Sequence, residues 1–240
     1  MRPAVFDGRP LHAVLFDLDG TLLDTAADIA LALNRALAEH QLPALPGDAV
    51  RRMIGRGAPT LVARALTANH RAADDALHAP LLERFFHHYG GLQLHAGEST
   101  AKPYPGVAEG LAALHAAGLR IAVVTNKQQS FAIALLQRLG LSEAVDLVVG
   151  GDTCERRKPD PQPIQHACEV LDVAIENTLM VGDSVNDVQS ARAAGMAVLC
   201  VPYGYNEGVD PRTLPCDGFV ETVADLPSLL FRTDPIRKVA

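Results

Sequence analysis

The pattern of apolar and polar positions divides the chain into two kinds of segment. Residues 11–16 form a short apolar run, and similar runs recur after residue 103 between stretches with helical spacing. Uninterrupted runs of Val, Leu, Ile and Phe are typical of strands buried on both faces of a parallel sheet. Residues 25–102 instead show helical periodicity, for example at Ile29, Leu33 and Leu37, and no convincing strand. The pattern predicts an α/β chain interrupted by an all-helical segment.

The order of the predicted elements specifies the kind of sheet. In the interrupting segment we expect helices over 25–40, 48–54, 59–68 and 75–89, the first of them capped by Asp24 or Thr25. Elsewhere we expect strands over 11–16, 119–124, 146–149, 178–181 and 197–201, with helices over 105–118, 128–139, 161–171, 185–194 and 223–230. Strands that alternate with helices through short links favour a parallel sheet with right-handed crossovers.

Composition and charge narrow the possible partners. The 240 residues are 48% hydrophobic and 20% charged, which is typical of a globular protein with one large domain or two unequal ones. A formal net charge of −7 argues against a nucleic-acid or anionic-membrane partner. No segment approaches the length of a membrane span, and Asp7, Gly8 and Pro10 interrupt the stretch where a signal peptide would be apolar. The four cysteines lack Cys-x-x-Cys spacing. We therefore expect a cytoplasmic protein with reduced thiols; the sequence specifies no oligomeric state.

The first predicted strand ends in a pair of acids. Asp17 and Asp19 follow Phe16, and the alternation of an extended segment directs residues i and i+2 to one side. Gly20 then permits a backbone turn that a Cβ atom would hinder. Taken alone, this stretch fits a helix N-cap or a solvated turn equally well. An EF-hand loop is excluded because Gly20 stands at the fourth position and no Glu stands at the twelfth.

The later strands bring complementary groups to the same edge of the sheet. In open α/β sheets, ligands bind outside the carboxyl ends of the strands. Acids, hydroxyl groups and a lysine at that edge suit a phosphate held beside a divalent metal. Alone, Ser184 would fit a helix N-cap equally well, and Lys127 is more typical of a solvated surface. The residues at the ends of these strands are Thr125, Asn126 and Lys127, then Lys158 and Pro159, then Gly182, Asp183, Ser184 and Asp187.

Together these residues resemble the four motifs of the haloacid-dehalogenase superfamily. The motifs are Asp17-x-Asp19-Gly20-Thr21, Thr125-Asn126, Lys158-Pro159 and Gly182-Asp183-Ser184-x-x-Asp187, in the expected order within residues 11–201. The resemblance implies a Rossmann-like catalytic core, an aspartyl-phosphate intermediate and Mg²⁺. It also implies that residues 25–102 form a helical cap domain inserted into a core made of residues 1–24 and 103–240.

The resemblance further implies roles for the acids. Asp17 is expected to be the nucleophile and, with Asp183, a Mg²⁺ ligand. The backbone carbonyl of Asp19 is expected to complete the protein ligands, leaving the Asp19 side chain free to protonate the leaving group and then activate water. A carboxylate that attacks a phosphate dianion meets a repulsion of roughly 4 kcal/mol at about 4 Å and an effective dielectric constant of 20, and a metal ion offsets it.

The remaining motif residues are expected to bind the phosphate or to orient the catalytic groups. Lys158 supplies positive charge to the phosphoryl oxygens, and Thr125 and Asn126 donate hydrogen bonds to them. Gly20 belongs to the same substrate-binding set. Those expected to orient the metal-bound water or Lys158 are Asp187, Asn186 and Ser184.

Two further stretches bear on the substrate. Ile54-Gly55-Arg56-Gly57 and the Tyr-Gly-Tyr-Asn stretch within residues 201–208 are similar to segments of bacterial phosphoglycolate phosphatases. The leaving group of 2-phosphoglycolate carries a carboxylate, which an arginine would suit. Arg56 is the first candidate and Arg64 the second. Alternatively, Gly55 and Gly57 only shape a helix connection.

Other functions remain open from the sequence. Superfamily dehalogenases lack the second acid, so Asp19 favours a phosphatase or phosphomutase. The expected partner is a small phosphorylated metabolite, which could also be a sugar phosphate such as N-acetylmuramate 6-phosphate. A non-catalytic phosphate-sensing protein would be expected to have lost Asp17 or Asp19, and both are present. A signalling receiver domain carries its phosphorylated Asp on the third strand and has no inserted cap.

Overall fold

The computed structural model describes residues 4–73, 75–94 and 97–231. The strands are β1 (Val5–Phe6), β2 (Arg9–Pro10), β3 (Ala13–Phe16), β4 (Leu23–Asp24), β5 (Lys102–Pro103), β6 (Arg120–Val124), β7 (Leu147–Val149), β8 (Thr178–Gly182), β9 (Ala197–Cys200) and β10 (Gly218–Phe219). The α-helices are α1 (Ala26–Glu39), α2 (Gly47–Arg51), α3 (Ala58–Ala68), α4 (His78–Leu94), α5 (Val107–Ala116), α6 (Gln129–Arg138), α7 (Gln162–Leu171), α8 (Val185–Ala194) and α9 (Leu226–Leu230).

A six-stranded parallel sheet in the order β10-β9-β8-β3-β6-β7 forms the centre of the fold. Its central strand β3 is buried on both faces, which explains its continuous apolar sequence. Val14 and Phe16 pack with α5, α6 and α9, whereas Ala13 and Leu15 pack with α7 and α8. This arrangement confirms the predicted α/β fold with a Rossmann-like core. It also brings the carboxyl ends of β6, β3 and β8 next to one another.

Helices α1 to α4 form a separate apolar cluster, here called the helical segment (residues 26–94). Ile29, Leu33 and Leu37 of α1 pack in this cluster with Leu81 and Phe85 of α4. The two ends of the segment meet at a small sheet, because β4 and β5 pair antiparallel. The division of the chain into a cap of residues 25–102 and a core stays a prediction; its residues 1–3, 74, 95–96 and 232–240 lie outside the described residues.

Two helices differ from their predicted bounds for identifiable reasons. Helix α4 continues past Tyr89 through Gly90 and Gly91 to Leu94. Glycine in a helix costs about 1 kcal/mol, but a Cβ atom on Gly90 would be 3.5 Å from the Phe131 ring, and Leu92 is buried. Packing therefore outweighs propensity here. The predicted last helix begins as a 3₁₀ turn, Val223–Asp225, before α9. None of the helices in the described part of the chain is long and apolar enough to cross a membrane.

Candidate active site

A buried lysine joins two acids at the carboxyl edge of the sheet. The Nζ atom of Lys158 lies 2.7 Å from Oδ1 of Asp17 and 2.7 Å from Oδ1 of Asp187. Asp17 follows β3, and Asp187 lies in the first turn of α8, directly beyond β8. The parallel pairing of β3 with β8 therefore places two residues that are far apart in sequence on one ammonium group.

Burial and crowding shift the pKa values of this cluster. Burial raises the pKa of Asp17 to about 6, although Lys158 opposes the shift. Burial, together with the charges of Asp17 and Asp187, raises the pKa of Asp183 to about 8. Burial alone would lower the pKa of Lys158, but the two carboxylates outweigh it and raise that pKa. Two acids contact Lys158 and a third, Asp183, lies close to both, so a bound cation would offset the excess of acidic groups.

The donor atoms of this cluster fit a divalent metal. One carboxylate oxygen each from Asp17, Asp183 and Asp187 lies within 4.8 Å of the others. Asp187 is already engaged on both oxygens, since Oδ1 accepts from Lys158 and Oδ2 accepts from the N–H and hydroxyl of Ser184. Asp183 also accepts hydrogen bonds on both oxygens, but from the neutral Thr21 hydroxyl and Tyr205 N–H rather than from a cation, so Asp17 and Asp183 remain the predicted ligands. Hard oxygen donors are those that Mg²⁺ prefers.

The contacts of Ser184 bear on its two sequence interpretations. Ser184 precedes α8, and its hydroxyl donates to Asp187 at 2.7 Å. Both residues are buried. The structure thus uses Ser184 to open the helix and to fix the carboxylate that contacts Lys158.

Two glycines allow the backbone to approach Asp183 closely. Gly20 has a φ of +95°, and a Cβ atom there would lie 2.5 Å from Oδ2 of Asp183. A Cβ atom on Gly204 would lie 2.1 Å from the Asp183 Cβ atom. The carboxylate itself accepts hydrogen bonds from the Thr21 hydroxyl at 3.0 Å and from the Tyr205 N–H at 2.6 Å. Substitution of either glycine would displace a predicted metal ligand.

Two donors, Lys127 and Thr25, hold the side chain of Asp19, and its expected acid–base role stays a prediction. Lys127 Nζ lies 2.9 Å from Oδ1 and 2.8 Å from Oδ2 of Asp19, and the Thr25 hydroxyl donates to Oδ1 at 2.6 Å. The placement of Lys127 on a solvated surface was wrong, because its side chain is 7% exposed and lies over the Tyr89 ring. Sequence spacing could not show this, since Tyr89 comes from the helical segment.

Tyr205 joins the site to the start of the helical segment, although the sequence analysis assigned it no role. Its hydroxyl accepts the N–H groups of Thr25 at 2.8 Å and Ala26 at 3.0 Å and lies 2.9 Å from an Asp24 carboxylate oxygen. Thr25 is the N-cap residue of α1 as predicted, but its side chain makes no capping hydrogen bond, and the Tyr205 hydroxyl accepts these N–H groups instead. The only available signal was the Tyr-Gly-Tyr-Asn resemblance.

The contacts of Asn126, Asn186 and Thr125 show which of them faces the cavity. Asn126 donates its amide hydrogens to the carbonyls of Gly55 and Lys158, both at 2.9 Å, rather than directing them into the site. Asn186 also points to the Gly55 carbonyl, at 3.4 Å, rather than to Lys158 or a metal position. Thr125 does line the cavity, and its oxygen accepts the N–H of Lys127. Both asparagines thus fasten the core to the helical segment.

The structure does not bring Arg56 or Arg64 to the cavity. Arg56 Nε lies 2.6 Å from Glu207, and Arg64 Nη2 lies 3.0 Å from the same carboxylate oxygen. These pairs link the helical segment to the loop after β9. In this arrangement the charge of Arg56 is paired with Glu207, and its role as a substrate contact stays a prediction.

A cavity of about 230 Å³ separates the sheet edge from the helical segment. Polar groups line it on the sheet side and apolar rings on the other. The sheet-side residues include Asp17, Asp19, Thr125, Asn126, Lys127 and Arg157. The facing residues include Ile29, Ile54, Leu61, Phe85, Phe86 and Tyr89. A phosphate at the acids would place its ester group in this cavity.

Comparisons with known proteins agree with this architecture. Residues 14–201 match a family described as haloacid dehalogenase-like hydrolase. The phosphoglycolate phosphatase of Nitrosospira multiformis is 44% identical, with 92% of this chain and 96% of that protein covered. The plasmid-encoded phosphoglycolate phosphatase of Cupriavidus necator is 46% identical, with 92% and 94% covered. A predicted phosphoglycolate phosphatase from Haemophilus somnus has a crystal structure with a TM-score of 0.84 and 31% identity, with 91% and 97% covered.

Proposed function

The chain belongs to the haloacid dehalogenase-like hydrolase family, and we propose that it is a phosphatase that converts 2-phosphoglycolate to glycolate and phosphate. The observation that carries this proposal is the buried cluster of Asp17, Asp183, Asp187 and Lys158, which reaches the cavity through Asp17. The names of its relatives support the choice of substrate.

We propose that Asp17 performs the covalent step. Its carboxylate oxygen attacks the phosphorus atom, and the bond from phosphorus to the glycolate oxygen breaks. Lys158, 2.7 Å from Asp17, holds the nucleophile and stabilises the negative charge that gathers on the phosphoryl oxygens. Water then attacks the phosphorus of the aspartyl phosphate, which releases phosphate and restores Asp17.

Asp19 is proposed to move the protons for both steps. It lines the cavity beside Asp17, and Lys127 and Thr25 fix its carboxylate. In the first step it gives a proton to the departing alkoxide, and in the second it accepts one from water. These contacts hold the carboxylate in position, and general acid–base catalysis requires the acid to lie within hydrogen-bond reach of the reacting oxygen.

Mg²⁺ is the proposed cofactor, with Asp17, Asp183 and the carbonyl of Asp19 as the protein groups that would hold it. When bound, it supplies positive charge that offsets the repulsion between the nucleophile and the phosphate. Asp187 has a supporting role, because it fixes Lys158 and the start of α8. The all-oxygen donor set and the raised pKa values of Asp17 and Asp183 support this assignment.

A phosphate-release assay tests the proposal. The substrates are 2-phosphoglycolate, sugar 6-phosphates, glucose 1-phosphate and nucleotides, each with Mg²⁺ and with EDTA. We expect metal-dependent release with the highest kcat/KM for 2-phosphoglycolate. A sugar phosphate in first place would replace the substrate and keep the mechanism. No metal-dependent release from any ester would contradict both and favour a phosphate-sensing role.

A further inference from the structure

Arg157 lies at the cavity beside the phosphate-binding lysine, and no motif includes it. It immediately precedes Lys158, whose ammonium group contacts Asp17. Its side chain reaches across to the helical segment, where Nη1 lies 3.0 Å from the position that a Cβ atom on Gly57 would take. Both Arg157 and Gly57 line the cavity. A guanidinium group therefore stands where the core and the helical segment face each other.

The charge of Arg157 is uncompensated within the described part of the chain. There its guanidinium group makes no ion pair or side-chain hydrogen bond, although the neighbouring Arg156 pairs with Asp160 at 3.3 Å. Arg56 and Arg64 share Glu207. Lys127, the other cationic residue in the cavity lining, is neutralised by Asp19. Arg157 thus retains its capacity to bind an anion.

An anionic leaving group needs such a residue. The cavity already contains the carboxylates of Asp17 and Asp19, so a second negative charge on the substrate would be repelled unless a cation faced it. A guanidinium group can pair with a carboxylate through two parallel hydrogen bonds. We infer that Arg157 determines specificity by binding the carboxylate of the leaving group; this inference rests on the proposed function and narrows the substrates to phosphate esters of short hydroxy acids.

Gly57 contributes by leaving space for this arginine. Its φ is +81°, and a Cβ atom there would lie 3.0 Å from both Arg157 Nη1 and the Asn126 carbonyl. A side chain at position 57 would push the guanidinium group from its place. Gly57, which directly follows Arg56, therefore leaves room for Arg157, which belongs to a different part of the chain.

The test compares two esters that differ only in the carboxylate. We measure kcat and KM for 2-phosphoglycolate and for 2-hydroxyethyl phosphate in the wild type, Arg157→Met and the matched control Arg156→Met. For Arg157→Met we expect KM for 2-phosphoglycolate to rise about 10- to 100-fold, the usual range for a charge-assisted contact. KM for 2-hydroxyethyl phosphate and both kcat values should change less than about 3-fold, and Arg156→Met, on an exposed ion pair, should change neither KM more than about 2-fold.

A binding measurement separates recognition from catalysis. Titration calorimetry of Asp17→Asn with 2-phosphoglycolate and Mg²⁺, with and without Arg157→Met, should show the same 10- to 100-fold loss of affinity, about as large as the KM effect. Because Arg157 is exposed and unpaired among the described residues, the variant should keep the wild-type Tm.

Two outcomes would overturn the inference, and they differ. If Arg157→Met weakens both esters equally, or if Arg56→Met gives the selective loss, the carboxylate is bound elsewhere while the proposed function stands. If the wild type does not hydrolyse 2-phosphoglycolate, the proposed function fails and the inference fails with it.

Discussion

The sheet edge and the helical segment that faces it are built on different principles. At the sheet edge, Lys158, Asp183 and Asp187 are each at most 3% exposed, and each makes several hydrogen bonds to the others or to the backbone. In the helical segment, Arg56 lies outside the cavity lining, is 47% exposed in its side chain and pairs with a loop residue. Parallel strands impose one geometry on their carboxyl ends, whereas the contacts of the helical segment with the core depend on loops. The cluster of acids and lysine is therefore the more tightly determined of the two regions.

Replacement of the proposed nucleophile should cause the largest loss of turnover. Asp17→Asn keeps the shape of the side chain and removes the attacking oxygen, so we expect turnover to fall by at least about 10⁴-fold. Phosphate release with Mg²⁺ measures the effect. No substitution in the helical segment should lower turnover as much. Turnover within 10-fold of the wild type, about 1.4 kcal/mol, would remove Asp17 from the covalent role.

Replacement of Lys158 should affect both stability and rate. Lys158→Met leaves Asp17 and Asp187 without their shared cation, so we expect the free energy of unfolding to fall by about 3–5 kcal/mol. We expect kcat to fall about 10²- to 10³-fold, as for the loss of one charge-stabilising group. Urea unfolding and phosphate release measure the two effects. An unchanged unfolding midpoint would contradict the buried-pair geometry.

The raised pKa values predict how pH acts on the sheet side. Folding raises the pKa of Asp183 from 3.8 to about 8 and that of Asp17 from 3.8 to about 6. The folded metal-free protein therefore holds protons that the unfolded chain has released, and this cluster makes its stability fall as pH rises from about 4 to about 8.

Mg²⁺ binds the ionised acids, so the stabilisation that it provides should increase with pH. We expect the rise in Tm caused by Mg²⁺ to grow from about pH 6 to about pH 8. Thermal unfolding with and without Mg²⁺ at several pH values measures it, with Asp183→Asn as the control that loses most of the effect. A Mg²⁺ effect that is constant over this range would contradict the shifted pKa values.

Replacement of Tyr205, which joins the loop after β9 to the start of the helical segment, should have a smaller effect on stability. Tyr205→Phe leaves the N–H groups of Thr25 and Ala26 without their acceptor, and an unsatisfied buried group costs about 1–3 kcal/mol. For a chain of this size, about 1 kcal/mol corresponds to a Tm shift of about 2–4 °C. Tyr203→Phe, which loses one contact to the Thr21 carbonyl, is the matched control and should lose less. Equal losses would contradict the anchoring role of Tyr205.

Replacement of Arg56 should have the smallest effect of these substitutions, measured as a change in KM. Its side chain is 47% exposed, and ion pairs of exposed side chains contribute about 0–1 kcal/mol. Arg56→Ala should therefore change KM for 2-phosphoglycolate less than about 3-fold, against the much larger effect expected for Arg157. A larger selective effect would return Arg56 to the substrate site.

The same contrast explains what the sequence could predict. Asp17, Asp183 and Lys158 follow strands that can be recognised in the sequence by their apolar runs. In a parallel sheet, residues that follow the strands lie at the same edge. Contacts across the cavity carry no such pattern. The Tyr89 ring covers Lys127. The amides of Asn126 and Asn186 contact the Gly55 carbonyl. Arg56 pairs with Glu207. Each of these depends on how the helical segment sits over the sheet, which local spacing does not encode.

In the proposed mechanism, Asp17 carries the phosphoryl group during turnover. The most direct test uses Asp19→Asn with p-nitrophenyl phosphate and Mg²⁺, because this leaving group needs no proton while the second step does. We predict a burst of p-nitrophenolate equal to the enzyme concentration and, after rapid quenching, a phosphoryl group on the peptide that contains Asp17. The absence of a burst, or a phosphoryl group on another residue, would contradict the account.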